Sequence, residues 1–338
     1  MRAIGPGEGL KVFTTAWALA RQGACVDQLQ EIARWSDAAG CDGMLVLSDQ
    51  EQLDPWLVAQ VITGATERLC PVVTVQPGQL HPFTAAKKIA SFAHLYGRPL
   101  HLNLVAGGIG TELAAFSDPI PHHERYARVV EYATLVLKLL QSAEPVTFIG
   151  RYYQVHNVAV TPALAAALQP IVLVSGFSAA GSEAARELCG TAIEYARPAS
   201  DYPTGWTAAG TTGIRIGIIA RSADEDAWSI ALQRYPEDRR ELPHQAAIRA
   251  RRSRLQHRPV PADTGEERHL TPYWLGPFNT FKATCPYLVG SYERVAEEVA
   301  RYVALGFRAF VLDEPTSAVE MRHVPMVFER AVARALAA

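Results

Sequence analysis

Two stretches of the sequence decide the fold: PLHLNLVAGGIG at residues 99–110 and IVLVSGFS at residues 171–178. In each stretch a run of aliphatic residues ends in small residues, and the second leads into a segment with helical spacing. Continuous aliphatic runs are typical of parallel strands that are buried on both faces. Glycine and serine at the carboxyl end of such a strand let an anion approach backbone N–H groups. The two stretches therefore predict β–α units with a binding site at the strand ends.

The same alternation of aliphatic runs and amphipathic stretches extends along the whole chain. Eight strands joined by helices favour a (β/α)8 TIM barrel, because closure removes both exposed edges of the sheet. An open, doubly wound parallel sheet is the alternative. We expect one barrel domain over residues 1–338. The predicted strands are residues 11–17, 42–48, 69–76, 99–106, 171–175, 191–195, 214–220 and 307–312.

Two segments interrupt this alternation. Residues 148–155 (FIGRYYQV) predict a short β excursion before the fifth strand. Residues 235–284 form a longer insertion that is rich in arginine between positions 239 and 258 and contains several prolines that end helices. A solvated basic helix followed by a loop is one interpretation of the insertion. The other is a lid that closes over an active site and brings arginines to an anionic group.

Composition excludes several classes of function. The chain has 338 residues, 49% of them hydrophobic and 20% charged, and its formal net charge is −2. It therefore has no global positive field to attract nucleic acid or anionic lipid, and no apolar run reaches the roughly 20 residues of a membrane helix. The five cysteines lack the spacing of a zinc site, and adjacent His122 and His123 point in different directions on a helix, so we expect no metal. The scattered cysteines and the lack of a secretion-signal pattern predict a cytoplasmic protein with reduced thiols.

The small residues at two strand ends are the first candidates for a site. Ala106 and Gly107 follow the fourth strand, and Ser175, Gly176, Phe177 and Ser178 follow the fifth. Backbone N–H groups and serine hydroxyls in this arrangement can hold a phosphate. Ordinary turn and helix-capping chemistry is the alternative.

Other candidates come from the rule that a barrel enzyme has its active site at the carboxyl ends of its strands. That rule selects Trp17, Gln52 and His81. Arg215 lies within an apolar strand, where a charge is costly unless it meets an anion or a carboxylate. If its side chain points into the barrel, Arg215 is a candidate site residue. If the side chain points outward, it pairs with a covering helix.

In order and spacing, several motifs resemble the bacterial luciferase-like flavin-dependent monooxygenases, and most closely the alkanesulfonate monooxygenase branch. The resemblance covers roughly residues 10–330 and includes the excursion and the late insertion. The motifs are DPWLVA at residues 54–59, HLNLVAGG at 101–108, HERY at 123–126, EY at 131–132, SGFS at 175–178, LVGS at 288–291, ALGF at 304–307 and FVL at 310–312.

The resemblance implies reduced FMN as cofactor, supplied by a separate flavin reductase, together with O2 and a small organic substrate. One oxygen atom would be inserted through a C4a-(hydro)peroxyflavin, which needs a site that excludes water. Asn103 and the residues after it would lie near the flavin ring and ribityl chain. His122 and Tyr126 match family positions near the ribityl chain or phosphate, and Ser175–Ser178 match the phosphate-binding turn. A homodimer or homotetramer is the expected assembly.

The chain departs from the alkanesulfonate branch at several polar positions. Arg215 is retained and is a catalytic candidate together with Gln52, which stands where that branch has its reactive-site cysteine. Gly217 replaces a histidine, Phe281 replaces the lid arginine beside Lys282, and Pro315 replaces a tyrosine. Because a sulfonate needs several convergent donors, we do not expect an alkanesulfonate. Gly217 and Phe281 fit a larger or more apolar acceptor better, such as a specialised-metabolite intermediate. An F420-dependent oxidoreductase of the same fold and a non-catalytic flavin-binding protein are the alternative functions.

Overall fold

In the computed structural model, residues 9–17, 25–48, 52–107, 120–176, 178–203, 210–236, 271–280 and 282–337 are described. In chain order, the strands are β1 (Lys11–Ala16), β2 (Gly43–Val46), β3 (Cys70–Val75), β4 (His101–Val105), β5 (Val146–Ile149), β6 (Gln154–Val158), β7 (Val172–Ser175), β8 (Thr191–Tyr195), β9 (Thr211–Arg215), β10 (Gly217–Arg221), β11 (Tyr273–Trp274), β12 (Tyr287–Ser291) and β13 (Phe307–Val311). The helices are α1 (Cys25–Ala38), α2 (Pro55–Ala65), α3 (Pro82–Tyr96), α4 (His122–Gln141), α5 (Ala179–Glu187), α6 (Asp224–Arg234), α7 (Gly276–Asn279), α8 (Tyr292–Ala304) and α9 (Ala318–Ala337).

Eight parallel strands close into a barrel in the order β1-β13-β9-β8-β7-β4-β3-β2. Closure is made by β1, which pairs with β13 on one side and with β2 on the other. The predicted TIM barrel is therefore confirmed, and the open-sheet alternative is wrong. All parallel barrels of this type have their strand ends at one mouth, so the barrel fixes where a site can form.

The lower part of the barrel is filled by an apolar plug. Successive residues on a strand face opposite sides, so one residue in two points inward. The inward residues at the same level form one buried apolar cluster. The plug consists of Phe13, Leu45, Val72, Leu173, Ile193, Ala309 and Val311.

The helices pack outside the barrel with their apolar faces toward it. Asp54 caps α2, because its carboxylate accepts hydrogen bonds from the N–H groups of Trp56 and Leu57 at 3.0 Å each. On α8, Val295, Val299 and Tyr302 follow one another at helical spacing and are fully buried. None of the helices in the described part of the chain is both long and apolar enough to cross a membrane.

The predicted seventh strand is wrong in its boundaries. The apolar run at residues 214–220 is divided between β9, which belongs to the barrel, and β10, which joins a separate sheet with β11 and β12. The division falls at Ile216, whose N–H donates to the Val311 carbonyl at 3.0 Å, whereas the next N–H donates to Pro286 at 2.7 Å. The barrel strand begins earlier, at Thr211, where polar residues hide it from a search for apolar runs.

The predicted β excursion is an antiparallel hairpin of β5 and β6. Its turn is held by Glu131 on α4. One carboxylate oxygen accepts from the N–H of Arg151 at 2.9 Å, and the other accepts from those of Tyr152 and Tyr153 at 2.7 Å each. Three backbone donors on one carboxylate fix the turn of the hairpin to α4.

The late insertion is described only at its ends. Its last part packs into the molecule, because β11 pairs with β12 and Trp274 is buried among aromatic and aliphatic side chains. Lys282 connects the two ends, since its Nζ donates to the Pro236 carbonyl at 2.7 Å. Residues 237–270 lie outside the described residues, so the lid stays a prediction.

Candidate active site

A line of polar side chains crosses three neighbouring strands above the apolar plug. Two residues after plug residue Val72, Thr74 also faces inward, and the Asn103 Nδ2 donates to its hydroxyl at 3.2 Å. The Ser175 hydroxyl donates to the Asn103 Oδ1 at 2.7 Å. Thr74 and Asn103 are buried, with 6% and 2% exposure, so the amide of Asn103 is held in one orientation. Among the described residues, Thr74 accepts one of its two N–H groups, and an amide nitrogen has a second hydrogen to donate.

The turn after β7 is closely approached by a tyrosine of α4. A Cβ built at Gly176 would fall 2.2 Å from the Tyr126 hydroxyl oxygen, and one built at Gly181 would fall 3.1 Å from it. Ser178 caps α5 by accepting from the Gly181 N–H at 3.2 Å. Glycine is therefore required at position 176, because a side chain there would displace the tyrosine. We call the turn of Ser175, Gly176 and Ser178 with Tyr126 the Tyr126 cradle.

The Tyr126 cradle has the donors that a phosphate monoester needs. The first N–H groups of α5 have no acceptor within the helix, and the helix dipole makes this end positive. The Tyr126 phenol lies beside them, whereas the Ser175 hydroxyl already donates its hydrogen to Asn103 and offers only lone pairs. The donor set thus fits the phosphate of FMN, and the cradle adjoins the Asn103 amide at the mouth.

The remaining cofactor candidates stand close to these elements. Ala106 is buried directly after β4, and Gly107 follows it. His122 is the first residue of α4, the helix that supplies Tyr126. Phe177 lies outside the described residues.

Arg215 points into the barrel mouth. A Cβ at Gly213 would touch plug residues Ile193 and Ala309, so position 213 faces inward and position 215 does too. The Arg215 Nη2 donates to the Thr284 hydroxyl at 3.2 Å, and its guanidinium lies 5.7 Å from the centre of the Tyr195 ring. Its Nε is buried and has no hydrogen-bond partner among the described residues. Of the two orientations considered for Arg215, the inward one is correct.

A hydrogen-bonded chain behind Arg215 holds it in place. Thr284 donates its only hydroxyl hydrogen to Asp313 at 2.6 Å, so the lone pairs of the Thr284 oxygen are left for Arg215. Asp313 also accepts from the Thr284 N–H at 3.2 Å and from the Tyr287 hydroxyl at 3.0 Å. Burial, and next the Asp313 charge, raise the pKa of Tyr287 well above its usual value, so this phenol stays a donor. The Tyr235 hydroxyl lies 2.7 Å from that of Tyr287 and extends the chain.

The space left by the missing side chain of Gly217 is occupied in the structure. A Cβ at Gly217 would fall 2.4 Å from the ring of Tyr287, so that ring already fills the space of the missing side chain. The position is therefore closed by packing, and the volume available to an acceptor has to come from elsewhere at the mouth.

The other predicted residues lie around the mouth at different distances. The backbone N–H of Trp17, just after β1, donates to a Glu314 carboxylate oxygen at 2.7 Å. Gln52 lies between β2 and α2. His81 caps α3 through its Nδ1 and lines a pocket together with Tyr153. The Lys282 ammonium contacts Pro236, as described above, and Phe281 lies outside the described residues.

Sequence reasoning missed several residues of the mouth. Thr74 could have been found from alternation along β3, since Val72 and Thr74 share a face. Phe278, only 5% exposed, packs its ring against that of Tyr195, with 4.9 Å between the centres. Thr284 and Asp313 are 29 residues apart, and no local pattern joins them. Among the described residues, no group of three or more His, Cys, Asp or Glu side chains could hold a metal ion.

The closed barrel, with polar residues gathered above its plug, has the architecture of the TIM-barrel class. A family model described as luciferase-like monooxygenase matches residues 9–309. The chain therefore belongs to the luciferase-like monooxygenase family, and its enzyme class is flavin-dependent monooxygenase.

Individual relatives agree with this assignment. The chain is 34% identical over 310 residues to the 4-(gamma-L-glutamylamino)butanoyl-[BtrI acyl-carrier protein] monooxygenase BtrO of Niallia circulans, covering 88% of this chain and 89% of that protein. Long-chain alkane monooxygenase LadA has a TM-score of 0.72 at 13% identity, over 97% of this chain and 92% of LadA. Riboflavin lyase RcaE, solved with modified FMN and riboflavin, has a TM-score of 0.69 at 17% identity, over 96% and 92%. The two solved structures show the shared fold.

Proposed function

We propose that the protein is the oxygenase of a two-component system, which receives reduced FMN from a separate flavin reductase and oxygenates an organic acceptor. The proposal is carried by one observation: the Tyr126 hydroxyl lies against Gly176, beside the Ser175–Asn103 hydrogen bond at the mouth. Bound reduced FMN would supply two electrons, so that one atom of O2 enters the acceptor and the other leaves as water. An expected homodimer or homotetramer stays a prediction.

The residues of this chain would act by binding and orienting. The Tyr126 cradle would hold the phosphate, and the Asn103 amide would offer an N–H to the ring system. Arg215 would meet oxygen atoms that carry partial negative charge, since its buried Nε has no acceptor among the described residues. Its charge is held in place through Thr284 and Asp313, which reduces the reorganisation needed during the reaction.

Water exclusion would come from the apolar and aromatic surroundings. The plug closes the barrel from below. Phe278 and Tyr195 form an aromatic wall beside Arg215. A dry site strengthens the electrostatic interactions of Arg215 and limits the loss of activated oxygen to solvent.

We propose an acyl group on a carrier protein as the acceptor class. The support is the 34% identical relative, whose name gives an acyl-carrier-protein substrate. Gly217 and Phe281, which stand where the alkanesulfonate branch has a histidine and an arginine, leave fewer donors for a free sulfonate than that branch has. The substrate side of the mouth would include Trp17 and the end of the late insertion.

An anaerobic titration tests the cofactor proposal. We expect the protein to bind reduced FMN more tightly than oxidised FMN, and more tightly than F420. Tight binding of F420 with no preference for reduced FMN would instead favour hydride transfer, the alternative function. A second measurement gives the protein reduced FMN and air, with and without carrier-bound acyl groups. An increase of 16 mass units in the acyl group supports oxygenation, whereas binding without turnover of any acceptor favours a non-catalytic flavin-binding protein.

A further inference from the structure

Arg215 and Asp313 lie close together at the barrel mouth, with a neutral side chain between them. The Arg215 Nη2 donates to the Thr284 hydroxyl at 3.2 Å, and that hydroxyl donates to the Asp313 Oδ1 at 2.6 Å. The guanidinium nitrogen and the carboxylate oxygen are therefore at most about 6 Å apart. Opposite charges at this distance attract each other, and in a partly buried place they commonly meet directly. Here the threonine hydroxyl separates them.

The Asp313 carboxylate is already filled with donors. Its Oδ1 accepts from the Thr284 hydroxyl at 2.6 Å and from the Glu314 N–H at 3.0 Å. Its Oδ2 accepts from the Thr284 N–H at 3.2 Å and from the Tyr287 hydroxyl at 3.0 Å. A carboxylate has about four lone-pair positions, so all of them are in use. Arg215 therefore finds no vacant position on Asp313 as long as the Thr284 hydroxyl occupies Oδ1.

The directions of the hydrogen bonds keep the threonine in this place. A carboxylate only accepts, so the hydroxyl hydrogen of Thr284 must point to Asp313. Oxygen lone pairs then remain for the guanidinium, which only donates. The Thr284 N–H donates to the same carboxylate, so Thr284 is tied to Asp313 at two points. The hydroxyl can leave its position between the two charges only by giving up its short bond to Asp313.

This arrangement leaves part of the guanidinium available to a bound molecule. Arg215 is half-buried, and among the described residues its hydrogen-bond acceptor is the Thr284 hydroxyl. The buried Nε has no partner there, and the guanidinium lies 5.7 Å from the centre of the Tyr195 ring. A direct, bidentate pair with Asp313 would use two N–H groups and offset much of the positive charge.

We infer that Thr284 is a positioning residue that keeps Arg215 from pairing with Asp313, so that the guanidinium stays available to negatively charged oxygen at the mouth. Without the hydroxyl, one position on the Asp313 Oδ1 becomes vacant beside the Arg215 Nη2, and the guanidinium should move onto it. The role in oxygenation rests on the proposed function, whereas the separation of the two charges does not depend on it.

Three variants test the inference, and thermal unfolding confirms that each is folded. Thr284→Ala removes the hydroxyl and leaves the space through which the guanidinium reaches Asp313. Thr284→Ser keeps the hydroxyl and is the matched control. Thr284→Ala combined with Asp313→Asn removes the attracting charge. Its amide oxygen can take the Oδ2 position, to which the Tyr287 hydroxyl and the N–H of residue 284 donate, so the NH2 group then faces Arg215 and offers it no acceptor.

The first measurement is the rate at which phenylglyoxal modifies Arg215 in the full chain without flavin, followed by mass spectrometry of its peptide. The exposed Arg34 on α1 is the reference within the same sample. Thr284→Ala should slow the modification of Arg215 at least about tenfold, because a guanidinium paired with a carboxylate has to separate from it before it reacts. Thr284→Ser and the double variant should both stay within about threefold of the wild type.

The second measurement is the rate at which air oxidises reduced FMN bound to each variant. A cation beside oxygen that gains negative charge stabilises the transition state, so Thr284→Ala should lower this rate about tenfold or more. The double variant should regain most of the rate. Such recovery distinguishes positioning from general damage, because two substitutions that merely disturb the structure would add their losses.

Equal modification of Arg215 in the wild type and Thr284→Ala would overturn the inference. Protection in Thr284→Ser as strong as in Thr284→Ala would also overturn it, and so would protection that persists in the double variant. Modification in the expected order with equal oxidation rates would refute the role of Thr284 in the reaction. Because the modification needs no flavin, the expected order in a protein without affinity for reduced FMN would refute only the proposed function.

Discussion

The geometry of the Tyr126 cradle predicts that Gly176→Ala weakens the binding of FMN. The new methyl carbon would lie 2.2 Å from the Tyr126 hydroxyl oxygen and 3.1 Å from the ring carbon that bears it. Non-bonded carbon and oxygen atoms need about 3.4 Å, so the hydroxyl has to move by about 1 Å. That movement removes it from hydrogen-bonding distance of a phosphate. A hydrogen bond to a charged group is worth about 1.5–3 kcal/mol, so FMN should bind roughly 10- to 150-fold more weakly.

Riboflavin separates this local effect from general damage, because it shares the ring and ribityl chain of FMN and lacks the phosphate. The measured quantity is the Kd of reduced riboflavin divided by the Kd of reduced FMN, from anaerobic fluorescence titrations. Gly176→Ala should lower this ratio by roughly 10- to 150-fold while the Kd of riboflavin stays nearly constant. An equal loss of affinity for both flavins would refute the argument, since the damage would then not be confined to the phosphate.

Tyr126→Phe completes the test as a double-mutant cycle. Removing the hydroxyl alone should lower the ratio about as much as Gly176→Ala does, because both variants lose the same donor. It also removes the closest atom, so the methyl of the double variant would meet the ring at 3.1 Å, which a small shift relieves. The double variant should therefore bind FMN with an affinity within about threefold of that of Tyr126→Phe. If the double variant lost FMN affinity by the product of the two single losses, position 176 and the hydroxyl would act independently, contrary to the geometry.

Three further predictions concern stability. Gly217→Ala places a methyl 2.4 Å from an aromatic ring and should lower the free energy of unfolding by about 1–3 kcal/mol. The control is Gly64→Ala in α2, which has open space around it and should leave the free energy of unfolding unchanged or raise it. Urea unfolding measures both variants. Glu131→Gln removes the charge that accepts three hairpin N–H groups, so amide hydrogen exchange at residues 151–153 should accelerate while exchange in β8 stays constant, and unchanged exchange would contradict that anchoring role. Burial, and next a nearby lysine, lower the pKa of His101 from 6.5 to about 3, so between these values the unfolded chain binds the extra proton. The free energy of unfolding should fall by about 1.4 kcal/mol per unit as the pH drops below 6.5, and His101→Gln should show a smaller slope.

The fold could be predicted from the sequence where buried strands appear as continuous aliphatic runs. The run at residues 171–175 is a barrel strand because both its faces are covered, and apolar residues are then required at every position. The same criterion failed at residues 214–220, where the run serves two sheets. Thr211 and Thr212 begin the barrel strand with polar side chains, so the pattern placed the start of the strand too late. Aliphatic runs therefore report burial reliably and strand membership less so.

Some residues of the candidate site could likewise be predicted from the sequence, and others could not. Asn103 and Ser175 could be named in advance, because the strand-end rule and the family resemblance both act on local sequence. The partner Thr74 follows from alternation once the strand is known. Tyr287 was beyond any such rule, because the absence of a side chain at Gly217 does not indicate which distant ring fills the space.

The placement of Arg215 shows why contacts between distant segments decide the chemistry of the mouth. Its strand determines only that the side chain points inward, which leaves a long flexible cation with many rotamers. The direction of the guanidinium is then set by Thr284, and the Thr284 hydroxyl is oriented in turn by Asp313. Tyr287 donates to the same carboxylate, and its ring can lie there only because position 217 has no side chain. The glycine expected to give room to an acceptor therefore has a different consequence: it admits the ring whose hydroxyl fixes Asp313 and, through Thr284, the cation at the mouth.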